Sequence, residues 1–223
     1  MTYRLFPLLA VIWVSALPAQ SHDYAALFAD AIENIDWEFE DEWAYTETSL
    51  TEGEIRIGRF DPRLEEDIRW TLISIDGREP TARERRKYAD DKEDDDSSDS
   101  RTTRIVGANS LELLEETDEF WLFSFVPEED EQAFLDNVDA KVKIIKAGPW
   151  VESIDIRNHS DIKPGFGTRL SEFVMLLEFG PAIDNGPIVP RSVKVHVSGR
   201  ALFFIGIKET EVVTNKDFEF AGN

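Results

Sequence analysis

Three histidines, His22, His159 and His196, are the only side chains in the 223 residues whose ordinary pKa lies near neutrality. Their spacing supports no familiar chemistry. Zinc held on one helix face needs imidazoles four positions apart, and no such pair exists. His159 stands in a polar turn, Asn158-His159-Ser160-Asp161, and His196 alternates against Val193, Val195 and Val197. Both read as surface residues rather than as a base or a ligand. No serine sits on a strained Gly-flanked turn, and there is no phosphate loop and no dinucleotide fingerprint. The absence of Cys removes thiol catalysis, disulfides, iron–sulfur clusters and cysteine zinc sites. The 46 Asp and Glu offer carboxylates in excess, but a glycosidase pair is defined by a separation in space. The acidic run Asp90 to Asp99 has neither the central Gly nor the terminal Glu of a calcium loop. These residues predict a non-catalytic protein, with no catalytic residue, no cofactor and no metal site.

The aromatics are the more informative set. Trp43, Tyr45, Trp70, Phe123, Phe125, Phe173 and Phe203 fall on strand-like segments. Gathered on the concave side of one curved sheet, they would line an apolar cavity able to take an acyl chain. The alternative for the same residues is a solid core packed against helices. The expected ligand-binding residues are those seven.

The elements that must position them follow from periodicity. His22 to Ile35 carries Tyr24, Leu27, Phe28, Ala31, Ile32 and Ile35 at three- and four-residue steps, which predicts an amphipathic helix. Asp36 to Glu42 reads as a solvated connection. From Trp43 the period changes to two, and strands are expected at about 43–50, 54–60 and 69–75. Pro80-Thr81 opens a helical stretch, with Glu84 at the capping-box spacing from Thr81. Residues 90–104 hold no apolar side chain and read as a disordered acidic insertion. Further strands are expected at about 110–115, 119–126, 138–146, 150–158, 169–179, 192–199 and 200–213, with a last piece at Phe218 and Phe220 and a short helix over 128–137. The strand at 119–126 is apolar on both sides, which predicts burial of both faces. Successive strands without strand–helix alternation predict an α+β, mainly β fold with one large curved antiparallel sheet around the N-terminal helix and the short helices.

Residues 1–21 stand apart. Arg4 is the only charge, Leu5 to Val14 is mostly apolar, and small residues follow to Ser21. This is the pattern of a secretory signal peptide cleaved after Ala16, Ala19 or Ser21, leaving a single domain over 22–223 in the periplasm. The formal net charge of −22 argues against nucleic acid or an anionic membrane surface as a partner.

A secretory signal, an N-terminal amphipathic helix and a run of antiparallel strands with short helices between them resembles the LolA/LolB-type lipoprotein carriers of the bacterial envelope and the related LppX-like lipid-binding proteins. Gly58-Arg59-Phe60-Asp61-Pro62-Arg63 and Trp70-Thr71-Leu72-Ile73-Ser74-Ile75-Asp76-Gly77 also resemble stretches of secreted bacterial proteins. The carrier resemblance implies a half-barrel whose cavity holds a lipid or lipidated partner non-covalently, with transient contacts to envelope proteins. A second reading is a structural or interaction protein whose core is filled by its own side chains, and a third is a hydrolase.

Overall fold

The computed structural model describes residues 23–97, 110–126, 137–165, 167–202 and 205–222. The signal segment, all but Asn137 of the helix expected over 128–137, and Phe203 lie outside them. The described residues are mainly β, with two helices and eleven strands in one open antiparallel sheet. The strands are β1 (Trp43–Thr51), β2 (Glu54–Phe60), β3 (Trp70–Ile75), β4 (Glu112–Glu116), β5 (Phe120–Phe125), β6 (Val138–Ile145), β7 (Trp150–Asn158), β8 (Ile162–Gly165), β9 (Thr168–Pro181), β10 (Ile188–Ala201) and β11 (Ile205–Phe220). Their spatial order is β3-β2-β1-β11-β10-β9-β7-β6-β5-β4, with β8 paired to β9. The β1–β2 hairpin turns on Glu52 and Gly53 at φ 52° and 88°. Two consecutive positive φ values make the primed turn whose twist matches a hairpin.

Helix α1 (Tyr24–Glu33) starts on Asp23, whose carboxylate accepts from the Ala26 amide at 3.2 Å. It buries Phe28 and Ala31, and Ile35 follows as a buried bridge to Ile188 in β10. These pack on Phe123, Phe125, Val142, Ile144, Val151, Ile154, Ile156 and Leu177, forming the larger of two cores. Helix α2 (Ala82–Ser97) sits at the other end of the sheet, against β3. The smaller core there joins Phe39, Trp43, Tyr45, Phe60, Trp70, Leu72, Tyr88 and Phe218. Both helices lie on one face. Cross-strand partners share a face, and the row Ile154–Leu177–Val193–Val213–Ser49–Arg56 runs unbroken from the α1 side to the α2 side.

Several expectations are corrected. Asp36 to Glu42 is not simply solvated: Phe39–Asp41 forms a single 3-10 turn that buries Phe39 against Tyr45 and Phe218. The expected disordered insertion at 90–104 is helical as far as Ser97, with residues 98–104 outside the described set. The helix persists because its first turn is capped and its middle is pinned to the sheet. Strand β5 buries Trp121, Phe123 and Phe125 but leaves Phe120 and Leu122 half-buried, since among the described residues no layer covers that side. The expected break at Gly199-Arg200 is strand. Gly199 is required there because a Cβ would lie 2.2 Å from the Arg169 carbonyl oxygen, so the glycine serves a close backbone approach rather than a turn. Phe218 and Phe220 belong to β11, which runs through Asp217 at φ 53°.

Candidate functional site

The face shared by β1, β2 and β11 changes character along its length. Trp43, Tyr45 and Phe60 occupy one end, and Ser49, Thr51, Glu54, Arg56 and Glu211 the other. Glu47 stands at the junction and is the single buried charged residue among the described ones. Helix α2 crosses this junction. Lys92 Nζ lies 2.6 Å from Glu47 Oε2, and the Tyr88 hydroxyl donates to Glu47 Oε1 at 3.3 Å. Tyr88 and Lys92 are four residues apart, so they share a helix face and reach one carboxylate together. Lys92 Nζ also lies 4.6 Å over the Trp70 ring, where the π face favours a cation.

The local sequence explains the seat. Tyr88 rests on Gly58: a Cβ at that position would come within 2.2 Å of the phenol oxygen. The helix is started by Thr81 and Glu84. The Glu84 carboxylate accepts from the Thr81 amide at 2.7 Å, and the Glu84 amide donates to Thr81 Oγ1 at 3.3 Å, a capping box. Arg78 adds two bonds to Glu84 at 2.6 and 3.0 Å. The Arg78 guanidinium and the Thr81 donors hold the Glu84 carboxyl down to about 2.

The cleft beside this junction has a volume of about 170 Å³ and is lined by Ser49, Glu54, Arg56, Tyr88, Asp91 and Lys92, with Glu211 at its edge. Ligand pockets occupy roughly 300–1,000 Å³ and are mostly apolar, so this cleft fits at most a small polar group. Its chemistry is static. Burial, and then the Glu47 carboxylate, push the Tyr88 phenol up. The phenol therefore keeps its proton as a donor and is no base at neutral pH. Among the described residues no group of His, Asp and Glu is arranged to hold a metal ion.

The expected ligand-binding residues divide between the cores. Phe123, Phe125 and Phe173 belong to the α1 core, and Trp43, Tyr45 and Trp70 to the α2 core. None of these six is more than 8 % exposed. Their rings meet other rings: Tyr24 on Phe123 at 5.2 Å, Phe28 on Phe125 at 5.8 Å, Tyr45 on Trp70 at 5.7 Å and Phe60 on Trp70 at 5.0 Å. The structure thus brings them together in two groups rather than around one space. His159 is exposed, with Nδ1 3.3 Å from Asp139. His196 lies on the face away from the helices, with Nδ1 2.6 Å from Thr210 Oγ1. No protein-family model matches this chain, and no curated protein or solved structure matches it either.

Glu47, Tyr88 and Lys92 were not singled out by sequence reasoning. The available signal was Gly58, a glycine inside a strand pattern, which marks the close approach of something from above.

Proposed function

We propose that the chain is an exported, non-catalytic interaction protein of the bacterial envelope whose sheet face is filled by its own side chains. One observation carries this reading. The six described aromatics that would line a ligand cavity are all buried against α1, α2 or one another. The Glu47–Lys92–Tyr88 cluster, with its phenol held protonated, works as a latch that seats α2 and not as a catalytic group. Export rests on the tripartite segment 1–21, and N-terminal sequencing of the exported protein should find a start between Leu17 and His22. Recovery of the intact Met1 form in the membrane fraction would contradict export.

The filled face is tested by charge insertion. Trp70→Glu and Phe123→Glu should each unfold the protein, because a buried unpaired charge and the lost packing both act on the native state. A variant of either kind that keeps the wild-type thermal midpoint would overturn the reading.

A second reading, the acyl carrier with a half-barrel cavity, is favoured by one observation. Val193, Val195 and Val197 form an apolar strip on β10 that is only half-buried, on the helix-bearing face between the strands under α1 and those under α2. Native mass spectrometry after gentle purification separates the two. A clean apo mass supports the filled face, and a stoichiometric lipid adduct supports the carrier.

A further inference from the structure

Strand β11 pairs with β1 only between Glu211 and Phe220, and β7 meets β9 only as far as Val174. Strands β9, β10 and β11 continue beyond both limits, with Arg169 opposite Arg200 and Ala201 opposite Ile205. The β10–β11 hairpin therefore runs past the end of β1 by Ile205–Thr210, about 20 Å at ~3.3 Å per residue. The described residues at its end are apolar and exposed. Leu202 is 57 % exposed and Ile205 47 % exposed. Leu202 also sits at φ 48°, a region that branched apolar residues avoid. A strained leucine turned to water does nothing for the stability of the fold, and such outliers gather where function requires them.

The charges around this tip run against the rest of the molecule. On the face away from α1, Arg169 lies directly opposite Arg200, Lys208 lies opposite Ser198, and Lys194 is further along β10. Like charges placed opposite each other on adjacent strands destabilise a sheet. Arg169 is paired with Asp161, but Arg200, Lys208 and Lys194 are exposed and make no ion pair among the described residues. On that stretch of the face the acids are Glu172, beside His196, Asp155, paired with Arg157, and the Asp161 partner of Arg169. In a chain of net charge −22, the unpaired Arg200 and Lys208 stand beside the exposed apolar tip, with Lys194 farther back on the same face.

We propose that the β10–β11 tip docks on an anionic lipid surface, with Leu202 and Ile205 entering the headgroup boundary and Arg169, Arg200 and Lys208 meeting lipid phosphates. The overall negative charge does not prevent this. Its field is screened over about 8–10 Å at ordinary ionic strength, and the tip extends about 20 Å past the β1–β2 turn. Apolar insertion and cation–phosphate attraction act together at such an interface.

Co-sedimentation of the whole chain with phosphatidylcholine vesicles, with and without phosphatidylglycerol, tests the proposal. The wild type should bind the phosphatidylglycerol-containing vesicles at low salt, at least tenfold better than phosphatidylcholine alone, and should release them at high salt. Leu202→Asp with Ile205→Asp should abolish binding, and Arg200→Glu with Lys208→Glu should weaken it at least tenfold. Neither pair should lower the thermal midpoint, since all four side chains are exposed and Arg200→Glu relieves the repulsion from Arg169. Absence of wild-type binding to anionic vesicles would overturn the proposal. So would binding that both variant pairs retain, which would place the lipid contact elsewhere in the chain.

Discussion

Helix α1 buries Phe28 and Ala31 against a sheet lined with Phe, Val and Ile, whereas α2 buries Tyr88 as the one core side chain among its described residues and depends on the Glu47–Lys92 pair. The first attachment is non-directional. Any apolar shape of the right volume maintains it at some cost. The second is directional, and each part depends on the others. Without Lys92, Glu47 is a buried carboxylate with only a phenol beside it, and without the Gly58 notch Tyr88 cannot reach Glu47. The two ends of one sheet face thus show two ways to seat a helix, one tolerant of substitution and one dependent on a few polar atoms.

The largest expected effect lies on the α1 side. Phe123→Ala should cost about 3–5 kcal/mol as transfer and cavity terms combine. At roughly 2–4 °C per kcal/mol, calorimetry should record a fall of about 6–20 °C in the thermal midpoint. On the α2 side, Lys92→Met should cost about 3 kcal/mol, the low end for breaking a buried pair, because the Lys92 side chain is 22 % exposed. Adding Glu47→Leu should recover most of that loss, since the charge left unpaired is then gone. A double variant no more stable than Lys92→Met would remove the latch from the comparison. Gly58→Ala should cost about 1–3 kcal/mol by overpacking against Tyr88. It should also change tryptophan fluorescence, because Trp70 lies beneath Tyr88 and Lys92.

The smallest effect concerns pH. The folded Glu84 carboxyl is held down to about 2, from an ordinary 4.5. Its contribution is therefore complete above pH 4.5 and is lost as pH falls through about 2. The difference in thermal midpoint between wild type and Glu84→Gln should be constant above that window and close within it. A difference that persists at pH 2 would show that the cap acts through something other than its charge.

The contrast between the helices also decides what was legible in the sequence. Helix α1 was readable because its seat is apolar, and apolar side chains recur at helical spacing from Tyr24 to Ile35. The cap of α2 was readable from Thr81 and Glu84. Its second half was not, because Asp90 to Asp96 looks like a solvated run when the residues that pin the helix, Glu47 and Gly58, are more than thirty positions away in the chain. Strand alternation gave most of the sheet, including the outward placement of His196. It misplaced the β10–β11 turn because Gly199, which suggests a turn, is there for the approach of the Arg169 backbone. Sequence reasoning identified the six aromatics as important, but not their division between two cores, which depends on strand order.

The filled sheet face is the central claim, and titration of the intact protein with an environment-sensitive apolar fluorophore tests it most directly. With Trp43, Tyr45, Trp70, Phe123, Phe125 and Phe173 all occupied in packing, fluorescence should rise without saturation and should not respond to an added acyl chain. One saturable site per chain, emptied by a long-chain fatty acid, would contradict the account and restore the carrier.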